Sequence, residues 1–268
     1  MQGVLRKLLN TWLPTTVRMI APPRVSTGVD GFDELIEDGF PIESIILVAG
    51  SPGAGKTTFA AQFLVQGAAS SEKGLYVCFA ETKQSLHRNL LRFGWDFQDL
   101  ERRGRLSVLD LSTTKEPGIQ GNLNLILEKI MELNAKRLVI DSFTAFSMAL
   151  REPTDVRFLI HLLYRFLQKA GCTTIMISDT AWGSERIGLG VEEFVADGVI
   201  LLLTRFDKTG RLRRTCRVLK MRSTDHSRLT HDYEITNSGI VILPRKDETG
   251  RIDDSGDGEE KEEVVRGA

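Results

Sequence analysis

Short apolar segments alternate along most of this chain with longer segments in which apolar residues recur at helical spacing. The apolar segments have the length of buried strands, and they are Ile45–Ala49, Leu75–Ala80, Leu106–Leu109, Arg137–Ile140, Thr173–Ser178 and Gly198–Leu203. The segments with helical periodicity lie at 57–69, 83–93, 120–134 and 154–170. Strands that alternate with helices favour an α/β fold with a mostly parallel sheet.

The pattern changes near the end of this alternating region. Val199–Phe206 and Leu212–Met221 are both strand-like, and the turn sequence Asp207–Gly210 joins them. Shorter strand-like segments follow at 232–235 and 240–243. Strands that follow one another through short turns pair antiparallel. We therefore expect a C-terminal β-hairpin that extends one edge of the parallel sheet.

Both ends of the chain differ from the region between them. In residues 1–23 the apolar side chains at 4–13 fall on one helical stripe, and prolines follow it. This predicts an amphipathic helix and a linker, which either packs against protein or docks peripherally on a partner or a membrane surface. Residues 246–268 form an acidic tail with nine acidic and three basic side chains from 247 onward, a composition that favours disorder.

The composition is that of a soluble globular protein, since 41% of the 268 residues are hydrophobic and 26% are charged. The net charge of −1 gives no global electrostatic reason to bind nucleic acid. Cys78, Cys172 and Cys216 lie in apolar segments, so we expect buried thiols in a reducing cytoplasm. No apolar run reaches the ~18 residues of a membrane span.

A glycine-rich motif follows the first long strand segment and precedes a helical segment. It fits the phosphate-binding P-loop pattern and consists of Gly50, Ser51, Pro52, Gly53, Ala54, Gly55, Lys56 and Thr57, with Thr58 directly after it. In a strand–loop–helix context, backbone N–H groups and the helix N-terminus attract phosphate. Lys56 would reach the terminal phosphates, and the Thr57 hydroxyl would hold Mg²⁺.

Glu81, Asp141 and Asp179 each stand directly after a predicted strand. Ligands of open parallel sheets bind beyond the carboxyl ends of the strands, so these residues are candidates for the site. Asp141 matches the Walker B acid that orients Mg²⁺. Glu81 would polarise the water that attacks the γ-phosphate, or alternatively cap the next helix. Ser178 and Asp179 would either sense the phosphate or form a simple turn.

The hairpin region is strongly basic. Eight basic residues and one acidic residue lie between Arg205 and Arg222. Lys220 and Arg222 are two positions apart and share a strand face, which suits a clamp on a triphosphate. Such a clamp would close within one subunit or reach into a neighbouring one, and the alternative is a solvated strand face.

Several segments resemble the KaiC-like branch of the RecA ATPases. Arg24–Ile36 is similar to that family's lead-in helix, and Gly39–Pro41 is similar to its turn into the first core strand. The more specific matches are Glu192–Gly198, Leu219–Ser227, Tyr233–Ile235 and Asn237–Ile240. The resemblance implies a RecA-like ATPase domain over residues 24–245 with one P-loop core.

The resemblance also implies a ring, usually a homo-hexamer, with ATP and Mg²⁺ at the subunit interfaces. Lys220 and Arg222 would then contact the γ-phosphate of a neighbour, and His226 would add a nucleotide contact. The family usually has a Glu-Glu doublet where this chain has Ala80-Glu81. RecA itself has Ala-Glu there, which supports Glu81 as the catalytic acid, although slow turnover remains compatible with the change.

Three functions fit these features. The first is an ATP-hydrolysing regulatory ring that signals to a protein partner, and the second is a nucleotide-binding scaffold with little turnover. The third is a DNA-dependent recombination ATPase of the RadA type. The third is disfavoured because Ala181–Gly190 has one Arg and no alternation of basic and aromatic residues.

Overall fold

The computed structural model describes residues 22–112, 118–147, 153–182, 187 and 196–245. Its strands are β1 (Arg24–Val25), β2 (Phe40–Pro41), β3 (Ile45–Gly50), β4 (Gly74–Cys78), β5 (Leu106–Asp110), β6 (Arg137–Asp141), β7 (Thr173–Asp179), β8 (Gly198–Phe206), β9 (Leu212–Met221), β10 (Thr230–Thr236) and β11 (Gly239–Ile242). Its α-helices are α1 (Lys56–Ala69), α2 (Lys83–Leu91), α3 (Phe97–Arg102), α4 (Gly118–Leu133), α5 (Phe143–Ser147) and α6 (Pro153–Ala170).

Nine of these strands form one sheet in the order β11-β10-β9-β8-β3-β7-β6-β4-β5. The six strands from β8 to β5 are parallel to one another. Strands β9, β10 and β11 pair antiparallel and extend the β8 edge. The predicted α/β fold, with a parallel core and a C-terminal antiparallel hairpin, is therefore confirmed.

Apolar side chains on the two faces of the sheet form two core clusters. One cluster packs beneath α1 and contains Phe59 and Phe63, and the other packs beneath α4 and α6 and contains Ile126 and Leu163. Because helices cover both faces, the central strands are buried along their length. This explains why the sequence shows them as continuous apolar runs rather than as alternating ones.

A buried arginine at the start of β6 ties this core together. Arg137 is 2% exposed, and its Nε donates to Glu72 Oε2 at 2.6 Å. Its Nη1 donates to the carbonyls of Ser26 and Phe63, both at 2.8 Å, and the guanidinium lies over the Phe63 ring. A buried charge that is paired and hydrogen-bonded in this way resists removal of either partner.

The segment before β3 corrects one expectation. Within Arg24–Ile36 only Asp33–Ile36 is helical, as one 3₁₀ turn, and Gly39–Pro41 contributes to β2, which pairs antiparallel with β1. The Asp33 carboxylate accepts hydrogen bonds from the Thr27 backbone N–H and hydroxyl. These local bonds favour a folded-back loop over a long helix.

Several predicted boundaries move, and short elements appear that the periodicity did not indicate. The strand predicted at Leu75–Ala80 ends at Cys78, although the Phe79 N–H still donates to the Asp141 carbonyl of the neighbouring strand β6. The helix predicted at 83–93 ends at Leu91, and Gly94 follows with φ of 77°. Helices α3 and α5 have six and five residues, too short for a periodic pattern.

The two ends of the chain bear on the predicted docking helix and tail. Residues 1–21 and 246–268 lie outside the described residues, so the amphipathic helix at 4–13 and the acidic tail stay predictions. Among the helices of the described ranges, none has the length and apolarity required to span a bilayer.

Candidate nucleotide site

The P-loop joins the carboxyl end of β3 to the N-terminus of α1 at the centre of the sheet. A Cβ at Gly50 would lie 2.3 Å from the Leu202 carbonyl oxygen, so only glycine lets β8 pass this closely. Gly55 has φ of 90°, and a Cβ there would meet Ile235 at 2.8 Å. Glycine at these two positions permits the tight turn from β3 into the 14-residue helix α1. The N-terminus of α1 thereby lies at the carboxyl end of β3, where it can bind phosphate.

Lys56, the P-loop lysine, is only 8% exposed. Its Nζ donates to the Gly50 carbonyl at 2.8 Å and to the Ser51 carbonyl at 3.1 Å. It also lies 3.1 Å from Asp179 Oδ1. The lysine is therefore held in a fixed position above the end of β3.

Thr57 and Asp141 meet beside this lysine. Thr57 Oγ1 donates to Asp141 Oδ2 at 2.8 Å, and the Tyr76 hydroxyl donates to the same oxygen at 2.5 Å. Burial raises the pKa of Asp141, and these two hydrogen bonds oppose the rise. A carboxylate and a hydroxyl in contact are hard oxygen donors, so these residues fit Mg²⁺.

Glu81 faces the same space from the loop between β4 and α2. It lines a cavity of about 340 Å³ together with Gly53, Gly55, Lys56, Thr57, Ala80, Asp141, Ser142 and Asp179. Burial raises the pKa of Glu81, as does the nearby Asp141, while hydrogen bonds from Ser85 and Asn89 oppose the rise. The Thr82 side chain caps α2 by accepting from the Ser85 backbone N–H, so the alternative of Glu81 as the helix cap is wrong.

The remaining P-loop residues have distinct environments. The Ser51 hydroxyl bonds to the Thr204 hydroxyl at 2.7 Å and so faces β8, whereas Pro52 and Gly53 are exposed at the top of the loop. Ala54 is buried, and its carbonyl accepts a hydrogen bond from the Tyr233 hydroxyl. Thr58 is partly exposed in the first turn of α1. Ser178 is fully buried, and its hydroxyl has no hydrogen-bond partner among the described residues.

Lys220 and Arg222 lie beside the amino ends of β8 and β3. The P-loop of their own subunit lies at the opposite, carboxyl end of β3. Lys220 Nζ donates to the Ala196 carbonyl at 2.7 Å, and Arg222 Nη1 donates to Asp197 Oδ1 at 3.1 Å. The other oxygen of Asp197 accepts from the backbone N–H of Ile45, the first residue of β3. Because a strand rises about 3.3 Å per residue, the amino end of β3 is about 17 Å from its carboxyl end, where the P-loop begins. The alternative in which the pair closes over its own subunit's triphosphate is wrong.

His226 is also remote from the P-loop of its own subunit. Its Nδ1 lies 3.0 Å from the Ser227 carbonyl, and the Ser227 backbone N–H donates to the carbonyl of Leu35 in the 3₁₀ turn. The structure thus brings Lys56, Thr57, Glu81 and Asp141 together and leaves Lys220, Arg222 and His226 apart from them.

Residues of the antiparallel extension contact the P-loop in a way that sequence reasoning missed. Arg214 Nε donates to the Gly53 carbonyl at 3.3 Å, and Tyr233 bonds to Ala54. Both residues line a second cavity of about 830 Å³ next to the loop. The basic run in β9 was visible in the sequence, but which of its members faces the loop depends on the strand pairing.

This fold and the P-loop at its centre define a RecA-like P-loop protein. The chain belongs to the KaiC family of ATPases, because the family model "ATPase: KaiC" matches residues 25–247. The family expected from the sequence is thereby confirmed.

Relatives cover most of the chain. A UPF0273 protein of Pyrococcus horikoshii is 35% identical over 238 residues, which are 83% of this chain and 95% of the relative. The circadian clock oscillator protein KaiC of Parathermosynechococcus lividus is 38% identical over 231 residues, which are 83% of this chain and 42% of that protein. The crystal structure of a KaiC-like protein of Pyrococcus horikoshii superposes with a TM-score of 0.76 at 38% identity, covering 83% of this chain and all of that one.

Proposed function

We propose that this protein binds ATP with Mg²⁺ and hydrolyses it in a ring, and that the nucleotide state is signalled to a protein partner. The observation that carries the proposal is the convergence of four side chains on one cavity at the carboxyl edge of the sheet. These are Lys56, Thr57, Glu81 and Asp141. Membership of the KaiC ATPase family supports the same activity.

Each residue has a distinct role in the proposed reaction. The loop from Gly50 to Thr58 and the N-terminus of α1 bind the phosphates, and Lys56 neutralises their charge. Thr57 and Asp141 would hold Mg²⁺, which supplies neutralisation of phosphate charge when it is bound. Glu81 orients the attacking water and accepts its proton, and its raised pKa makes it a stronger base than an ordinary glutamate.

Of the residues that line the described cavity, Lys56 is the only cation, and further cations would stabilise the charge that develops in the transition state. Lys220 and Arg222 lie about 17 Å away along the sheet, so we propose that they act on the γ-phosphate of a neighbouring subunit. His226, which follows them closely in the chain, would contact the same nucleotide. A homo-hexamer or another closed ring provides this head-to-tail arrangement at every interface.

A scaffold with little turnover is the second candidate, and one observation favours it. Ala80, a residue without a carboxylate, lines the cavity next to Glu81. The pair of positions 80 and 81 therefore carries one acidic residue, whereas the family usually has two there. We expect the ring to work in the cytoplasm on an unidentified regulatory protein, without nucleic acid as a partner.

Titration calorimetry with MgATP tests the nucleotide site. We expect wild type to bind and Lys56→Ala to lose binding, because the loop loses the cation that faces the phosphates. Lys129→Ala, on the outer surface of α4 where Lys129 pairs with Glu132, is the matched control and should bind like wild type. Equal affinity in Lys56→Ala and wild type would refute the site. Steady-state turnover with and without DNA separates the ATPase, the scaffold and the DNA-dependent enzyme.

A further inference from the structure

The Asp179 carboxylate connects the P-loop lysine to the segment after β6. Its Oδ1 lies 3.1 Å from Lys56 Nζ, and its Oδ2 accepts a hydrogen bond from the Ser142 hydroxyl at 3.1 Å. Its backbone N–H donates to Thr144 Oγ1 at 2.8 Å. The side chain is nevertheless 45% exposed and lines the nucleotide cavity. Asp179 is therefore held by partners on both sides while it remains accessible to a ligand.

The contacts of Lys56 show what a phosphate would have to replace. A lysine ammonium has three donor hydrogens, and the carbonyls of Gly50 and Ser51 and the carboxylate of Asp179 account for three acceptors. The Gly50 carbonyl belongs to β3 and also accepts from the Thr180 backbone N–H at 3.0 Å, so it is fixed. Asp179 is the exposed, anionic acceptor of the three, and it is the one that an incoming phosphate can exchange with.

We propose that the nucleotide phosphate displaces Asp179 from Lys56, and that the charge of Asp179 sets the affinity of the site and its discrimination between ATP and ADP. The inference rests on the proposed nucleotide-binding function and adds a specificity-determining residue to it. After the exchange, the carboxylate remains beside the phosphates and repels them. The repulsion acts most strongly on the triphosphate, because its terminal phosphate adds charge closest to Lys56.

A purely structural ion pair would behave differently. Such a pair would stabilise the fold, and its loss would leave nucleotide affinity unchanged. The proposal instead requires that removing the charge of Asp179 strengthens nucleotide binding. The two accounts are therefore separated by the direction of the change in affinity.

Calorimetric titrations of Asp179→Asn with MgATP and MgADP test the proposal. We expect ATP to bind about ten-fold more tightly than to wild type, as for removal of one competing charge-assisted contact, with a smaller gain for ADP. Glu132→Gln removes one charge from the exposed surface of α4 and should change neither affinity. Asp179→Ala, a second variant without the carboxylate, should shift both affinities in the same direction as Asp179→Asn.

Unfolding of the protein without added nucleotide supplies a second readout. Asp179→Asn should lower the unfolding midpoint in wild type and have no effect in a Lys56→Ala background, since the pair partner is then gone. Unchanged or weaker ATP affinity in both Asp179 variants would overturn the inference alone. Failure of wild type to bind either nucleotide would overturn the proposed function as well.

Discussion

Lys220 and Arg222 should complete the ATP site of a neighbouring subunit, and two inactive variants can be mixed to test this. Lys56→Ala cannot bind ATP but keeps both cations. Lys220→Ala/Arg222→Ala binds ATP but cannot supply them. Each protein alone should be nearly inactive, since a cation supplied by a neighbour is worth about 10³–10⁵ in rate in related phosphoryl-transfer systems.

The expected recovery follows from counting the junctions in a mixed ring. A complete site forms wherever a subunit with an intact P-loop receives the cations of a Lys56→Ala neighbour. In randomly mixed rings with equal amounts of the two variants, about a quarter of the sites are complete, so activity should return to about a quarter of wild type. The structure supports action between subunits, because Arg222 is bound to Asp197 beside the amino end of β3, and the P-loop of the same subunit follows the carboxyl end of that strand.

The assay is phosphate release after the two variants have been unfolded, mixed and refolded, with size exclusion to establish that mixed rings form. A triple variant, Lys56→Ala/Lys220→Ala/Arg222→Ala, replaces Lys56→Ala in the control mixture and should give no recovery. Far-UV circular dichroism checks that loss of the contacts to Ala196 and Asp197 leaves the fold intact. Mixed rings that stay as inactive as their parents would refute action between subunits.

Two further predictions concern the pH dependence of turnover and the stability of the fold. Because burial and the nearby Asp141 raise the pKa of Glu81 in the free protein above its ordinary value of 4.5, kcat/KM for MgATP should fall as pH decreases through that raised pKa. A profile of kcat/KM whose acid limb lies at or below pH 4.5 would contradict this. Arg137→Ala removes the ion pair with Glu72 and leaves the carbonyls of Ser26 and Phe63 without their donor. It should lower the unfolding free energy by about 3 kcal/mol, with Arg137→Lys losing less, and a urea midpoint equal to wild type would contradict the role of Arg137.

The parts of the site that could be predicted from the sequence are those whose chemistry depends on neighbouring residues in the chain. The P-loop needs its glycines, Lys56 and Thr57 in a fixed order between a strand and a helix. Asp141 could be predicted because an apolar strand directly precedes it. The structure places both where the sequence predicted, at the carboxyl edge of the sheet.

Features that depend on pairing between distant segments could not be predicted. The distance of Lys220 and Arg222 from their own P-loop follows from the antiparallel register of β8 and β9, which the spacing of two basic residues does not contain. Likewise, the contact between Asp179 and Lys56 joins the last residue of β7 to the first residue of α1, and it depends on the pairing of β7 with β3, the strand before the P-loop.

The lead-in segment was mispredicted for a different reason. A resemblance to a family suggested a helix from Arg24 to Ile36, but local hydrogen bonds to the Asp33 side chain hold the chain in a loop. The Arg24 guanidinium closes this loop by donating to the carbonyls of Ile36 and Gly39. Side chains that compete for backbone groups in this way override helical propensity.

Phosphate release from saturating MgATP by wild type and Glu81→Gln is the most direct test of the central claim that this site hydrolyses ATP. The substitution keeps the shape of the side chain and removes the proton acceptor. We expect a measurable wild-type rate that falls by about 10²–10⁴-fold in Glu81→Gln, with ATP affinity unchanged. Equal rates in the two proteins would contradict the assignment of Glu81 as the catalytic base, and the absence of turnover in wild type would contradict the claim of an ATPase.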